Sequence, residues 1–224
     1  MKIGIIIAIA RELKAFLESS FSIEEINDGV KTVYHAKINN NDVYAVQSGW
    51  GEIDAAAETE YLISKWNCSL IINYGVTGAL KSGLKVDDLF VVTKAVNFDY
   101  DVSSIDNVVK HQYEEFPDIF IPLDLEMIEF VKKMYPDIQE AICSTGDHFV
   151  DDPNNKKQMA ECGCNICDME VAAIARRCYL NNVKCLSIKC ISDTLEGDGG
   201  DFEKNVVNSA AKAFALIKEI LLTI

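Results

Sequence analysis

Three carboxylates stand where apolar, strand-like runs of this 224-residue chain give out: Glu12 after residues 3–10, Glu170 after residues 164–169 and Asp193 after residues 185–191. In an open α/β sheet, ligands bind beyond the carboxyl ends of the strands, so acids delivered there from distant parts of the chain can share one pocket. Acids so gathered do general acid/base work, and a glycosidic bond is a fitting target. Each acid alone also has an ordinary explanation. Asp168 and Glu170 lie at a helix start, where a carboxylate caps the first turn or meets the positive end of the helix dipole, and Glu12 sits in a first turn too. Asp193 after Ser192 is common turn chemistry.

The elements that must position these acids follow from periodicity. Residues 3–10 form a buried strand leading into a helix from about Arg11, and residues 32–38 and 42–47 form a hairpin across Asn39, Asn40 and Asn41. A helix follows with Ala55, Tyr61, Leu62 and Trp66 on its apolar side. Residues 70–74 make a buried strand ending in Gly75-Val76-Thr77-Gly78-Ala79, whose glycines let backbone approach a ligand closely. Residues 89–96 form another strand, and the weakly patterned residues 105–122 a loop of lid length. Beyond it come a helix (123–134), a strand (140–144) and a short helix (155–161), then strand, helix, strand and helix over residues 164–169, 170–180, 184–191 and 202–222. This βα order predicts one domain over residues 1–224, a three-layer α/β/α arrangement around a central mixed, largely parallel β-sheet.

Composition excludes several classes. With 49% hydrophobic and 25% charged residues the chain buries a full core. Lys and Arg number 21 against 35 Asp and Glu, a net charge of −14 that repels nucleic acid and anionic membranes. The apolar opening lacks the cleavage pattern of a signal peptide, and no stretch approaches the roughly 20 residues that span a bilayer, so a cytoplasmic protein is expected. The eight cysteines then serve as reduced, small apolar residues. Cys162, Cys164 and Cys167 are closely spaced but lack a fourth ligand, and neither metal nor cofactor is expected. His148 is read as an ordinary surface or hydrogen-bonded histidine. The acidic, glycine-containing run 198–203 is read as a mobile rim over the site.

Taken together, the motifs carry a resemblance. MKIGIIIAIARE at residues 1–12, SGWGEIDAA at 48–56, INYGVTGAL at 72–80, AVNFDYDVS at 95–103, STGDHFVDD at 144–152, DMEVAAIA at 168–175 and CISD at 190–193 resemble, in order and spacing, the purine nucleoside phosphorylase/nucleosidase superfamily. Within it the chain is most similar to the 5'-methylthioadenosine/S-adenosylhomocysteine nucleosidases. The resemblance implies a nucleoside phosphorylase-like fold and hydrolysis of a purine N-glycosidic bond. By it, Glu12 activates the attacking water, Asp193 protonates purine N7, and Met169 and Glu170, beside Asp168, contact the ribose. Phe149 stacks on the base, the backbone at Val150 reads its edge, and Ile9 and Phe202 line an apolar 5' pocket. It also implies a homodimer in which the segment 102–107, beginning with Val102 and ending with Asn107, completes the partner's pocket.

Departures from the family pattern bear on the nucleophile and the 5' group. Val76 stands where the nucleosidases carry a small hydroxyl residue, and Lys189 where they carry Arg. Val76 has no donor for a phosphate, although Thr77 beside Gly78 has one. The pattern therefore favours water, with Lys189, Lys14 and backbone amides as the remaining anion ligands of a rival phosphorylase. A non-catalytic nucleoside-binding or storage protein is a further rival. Trp50 replaces a smaller aliphatic residue, and Ile105 and Asn107 replace aromatics, so the 5' pocket is narrowed or more polar; Trp50 as plain core is the alternative.

Overall fold

The structure, a computed structural model, describes residues 1–105, 108–197 and 199–224. Strand β1 (Lys2–Ile7) is buried at every position after Lys2, as suits a strand paired on both edges. It stops three residues before the expected end, because Ile9 is already the extended residue that precedes helix α1 (Ala10–Leu17). Strand β2 (Ile23–Asp28) has no counterpart in the sequence reading: its acids leave it largely exposed at the sheet edge, without the apolar run that betrays a strand. Strands β3 (Lys31–Ile38) and β4 (Asn41–Gln47) form the expected hairpin, with Asn39 at a positive φ of 52° in its turn. Helix α2 (Glu52–Trp66) buries Ala55, Thr59 and Leu62.

Strand β5 (Leu70–Ala79) is longer than expected, since the glycine-containing segment belongs to it. Strand β6 (Leu89–Asn97) is followed by turns, and the expected loop contains the short β7 (Ile121–Pro122), paired with β6. Asp124 caps α3 (Leu125–Met134) by accepting the Met127 N–H at 2.9 Å. Strand β8 (Gln139–Thr145) leads to α4 (Pro153–Glu161), which starts two residues early because Asp152 caps it and Pro153 fits its first position. Strand β9 (Ile166–Asp168), α5 (Val171–Leu180), β10 (Lys184–Asp193) and α6 (Gly199–Thr223) complete the chain. The acidic run expected as a rim is, over residues 199–203, the first turn of α6; Asp198 lies outside the described residues.

The sheet is mixed, as expected, but it is not an open layer. β5 lies between β1 and β10 at first; beyond Asn73 the β1 edge is free, and β9 takes it, antiparallel at Gly78 and Ala79. With β10 paired to β6, β6 to β8 and β8 to β9, five strands close into a ring, and β1, β4, β3 and β2 extend from its side. The expected three-layer, largely parallel sheet is corrected accordingly: among the described residues five strand pairings are parallel and five antiparallel. The physical reason is length. Ten-residue strands such as β5 and β10 accumulate enough twist to serve different neighbours at their two ends, and a register shift between Ile191 and Asp193 adds to it. Helix α6 packs on β10, β5 and α1, while α2 packs on α5 and β1. The strand ends that carry the acids therefore meet at one end of the ring.

Candidate active site

Glu12 folds back from the first turn of α1 so that its carboxylate accepts the Ile9 N–H at 3.3 Å and, from β5, the Val76 N–H at 2.8 Å. The bond that caps the helix thus also aims the carboxylate at β5. Burial pushes Glu12 above the usual carboxylate range, while Lys189 and the two N–H groups pull it back.

Glu170 precedes α5 without capping it; its Oε1 accepts the Gly51 N–H at 3.0 Å, at the start of α2. Capping falls to Asp168, which accepts the Val171 N–H at 3.2 Å and the Thr145 hydroxyl at 2.7 Å. Burial first, then the Asp168 charge, push Glu170 up to about 8. From β10, Lys189 Nζ reaches Asp168 Oδ2 at 2.8 Å, with both side chains 2% exposed. Desolvation alone would depress this ammonium, but Asp168, Glu170 and Glu12 outweigh it and raise its pKa.

Asp193 ends β10 and accepts the Ser192 hydroxyl at 2.8 Å. Burial raises its pKa against the opposing effects of Ser192 and Lys156. Lys156, on α4, is itself buried and donates to the carbonyls of Thr194, Leu195 and Gly197 at 3.3, 3.2 and 2.9 Å, which pins the loop after Asp193. Sequence reasoning missed it, because a lysine ordinarily lies at the surface.

The two glycines of β5 admit something other than the expected ligand. A Cβ on Gly75 would overlap Glu12 Oε1, and one on Gly78 would stand 2.9 Å from Asp193 Oδ2. What the missing side chains make room for is the acids.

Glu12, Glu170 and Asp193 line a single cleft. Ile9, Val76 and Phe202 form its apolar wall. Trp50 and Phe149, 51% and 41% exposed, flank its mouth with ring centroids 6.2 and 5.5 Å from Phe202, so Trp50 is cleft wall and not core. Thr77, Gly78, Val150, Asp168 and Met169 also line it. The hydroxyl of Thr77 donates to the Cys167 carbonyl at 2.7 Å, which commits its proton. Lys189 stands behind the cleft; its expected place among the lining residues gives way to the ion pair with Asp168. Ala8, His148, Cys167 and Ser192 line it as well, each next in sequence to a residue already singled out. Cys164 and Cys167 pack with Leu80, Val96, Val150 and Met159, as small apolar residues do. In the segment 102–107, Ser103, Ser104 and Ile105 are exposed, whereas Asp106 and Asn107 lie outside the described residues. No helix among the described residues is long and apolar enough to cross a membrane.

Buried acids of unequal surroundings, an apolar wall and aromatic rings at the mouth suit a heterocycle joined to a sugar. Comparison with known proteins agrees. The chain is 29% identical to a 5'-methylthioadenosine/S-adenosylhomocysteine nucleosidase of Haemophilus influenzae, over 99% of each chain. It is 28% identical to an aminodeoxyfutalosine nucleosidase of Campylobacter jejuni, over 94% of this chain and 93% of that one. The crystal structure of the Helicobacter pylori 5'-methylthioadenosine/S-adenosylhomocysteine nucleosidase, in complex with a pyrrolidine ligand, superposes with a TM-score of 0.93 at 27% identity, covering 99% of this chain and 97% of that one. Residues 2–222 match the phosphorylase superfamily, and the chain belongs to that family.

Proposed function

We propose that the protein is a cofactor-independent purine nucleosidase that hydrolyses the N-glycosidic bond of 5'-methylthioadenosine and S-adenosylhomocysteine, releasing adenine and the thioribose product for purine and methionine salvage. One observation carries the reading: three buried carboxylates from β1–α1, β9–α5 and β10 face one cleft whose phosphate donors are already spent. Val76 offers no side-chain donor, the Thr77 proton is committed, Lys189 is paired with Asp168, and Arg11 and Lys14 do not line the cleft. Water is the nucleophile such a cleft accommodates.

The roles are those the family resemblance implies, and the surroundings of each side chain support them. Glu12, whose pKa burial raises while Lys189 and two N–H groups pull it back, takes a proton from water. Asp193, raised by burial, gives one to N7 as electrons flow into the purine. Glu170 accepts the ribose hydroxyls beside Met169, and the acids stabilise the positive charge that develops on the sugar. Phe149 stacks on the base and the Val150 backbone reads its edge. The active unit is a homodimer in the cytoplasm, where the eight free thiols stay reduced; exposed Ile53, Ile105 and Val109, 79%, 80% and 61% accessible, support an unfilled contact face.

The test is a product assay on methylthioadenosine, S-adenosylhomocysteine, aminodeoxyfutalosine, adenosine and inosine, each with and without phosphate. Free adenine from the two thionucleosides without phosphate is expected. Strict phosphate dependence with a ribose-1-phosphate product, or turnover confined to aminodeoxyfutalosine, overturns the reading. A fully active monomer in sedimentation refutes the dimer.

A further inference from the structure

A second cleft opens outward from the first and shares Trp50, Phe149, Met169 and Phe202 with it. Its remaining walls are Arg11, Gly199 and Glu203. Adjacent residues on a helix point about 100° apart. Glu12 on α1 and Phe202 on α6 therefore face the inner cleft, while their neighbours Arg11 and Glu203 reach the outer one. Arg11 Nη1 meets Glu203 Oε2 at 2.5 Å, with the side chains 34% and 65% exposed, and the guanidinium sits 5.1 Å from the Phe202 ring centroid.

An opposed pair of charges at the rim of an apolar funnel has a natural guest. The chain has three arginines, and Arg176 and Arg177 are paired on α5 with Glu115 and Glu60, so Arg11 is the arginine at the cleft mouth. A guanidinium carries five N–H donors in a planar fork, so the one bond to Glu203 leaves it able to seat a second carboxylate. On a chain of net charge −14 an isolated anion is repelled, whereas a zwitterion brings its own ammonium to Glu203.

We propose that the outer cleft is a subsite for a zwitterionic α-amino acid at the end of a 5'-thioether substituent, with Arg11 taking the carboxylate and Glu203 the ammonium. The inference rests on the nucleosidase reading and deepens it: Arg11 and Glu203 set the preference for S-adenosylhomocysteine over methylthioadenosine, whose uncharged methyl group gives the pair nothing to hold. The apolar stem of the longer substituent runs between Trp50 and Phe202.

The test is the ratio of kcat/KM for S-adenosylhomocysteine to that for methylthioadenosine in wild type, Arg11→Met, Arg11→Lys and Glu203→Gln. Methionine keeps the packing on Phe202 and removes the charge. The ratio should fall about fivefold in Arg11→Met and in Glu203→Gln, the worth of one partly exposed ion pair, and recover in Arg11→Lys. Matched adenosine 5'-thioethers ending in a carboxylate alone or an amine alone separate the two contacts: Arg11→Met selectively weakens the first and Glu203→Gln the second. Raising the salt concentration lowers the wild-type ratio toward that of the variants. An unchanged ratio in both variants overturns the subsite while leaving the nucleosidase reading intact; failure of either thionucleoside to release adenine overturns that reading instead. If one variant fails to fold, the other and the paired thioethers on wild type decide.

Discussion

Replacing Lys189 by methionine keeps most of the side-chain volume and removes the cation buried against Asp168, Glu170 and Glu12. Breaking a buried pair by removing one partner costs about 3–5 kcal/mol. Asp168 keeps its bonds from the Thr145 hydroxyl and the Val171 N–H, which puts the loss near the lower end, about 3 kcal/mol. For a domain of this size that is a fall in Tm of about 6–12 °C. The deficit also depends on pH, with a definite sign. Lys189 lowers the pKa values of Glu12 and Glu170, which burial nevertheless raises above the ordinary 4.5. A carboxyl raised on folding contributes stability that is complete below its unfolded pKa and is lost as pH rises through its folded one, about 8 for Glu170. Without Lys189 both values climb further, so the variant's deficit is larger at about pH 8 than at about pH 5. Thermal unfolding followed by circular dichroism at the two pH values measures it. Unchanged Tm at the higher pH, or a larger deficit at the lower, refutes the argument that Lys189 serves as the shared counter-charge.

Asp193→Asn keeps the shape and the acceptor for Ser192 but cannot give a proton; adenine release should fall by about 10²–10⁴ while Tm holds or rises, and undiminished turnover removes Asp193 as the acid. In Glu170→Gln the buried titration disappears, so Tm should decline less between about pH 5 and about pH 8 than in wild type, and parallel curves contradict the raised carboxyl. Gly75→Ala drives a Cβ into the Glu12 carboxylate; overpacking of about 1–3 kcal/mol should lower Tm and, by lifting Glu12 off the Val76 N–H, cut turnover at least about tenfold, whereas full activity means that Glu12 does not need β5.

Much of the fold is visible in local pattern. Buried strands such as β1 and β10 and amphipathic helices such as α2 and α3 carry apolar periodicity that any sequence window detects, and the strand-end acids follow from it. The edge strand β2 is not visible, because half its residues are acidic and, among the described residues, its strand partner is β3 alone. The closed ring escapes for a different reason: β5 and β10 each read as one strand, and only twist over ten residues decides that β9 takes the edge β1 leaves.

By itself, the sequence determined that three acids, Glu12, Glu170 and Asp193, lie at or just past strand ends, where a cleft forms, since residue type and strand placement are local properties. Only the tertiary structure decided their electrostatics. Lys189 is a counter-ion and not a lining residue, Thr77 has spent its proton, Lys156 ties the loop beyond Asp193, and Gly75 and Gly78 make room for carboxylates. These are consequences of burial and of contacts between segments far apart in the chain, and a pKa or a committed donor exists only once those segments have met.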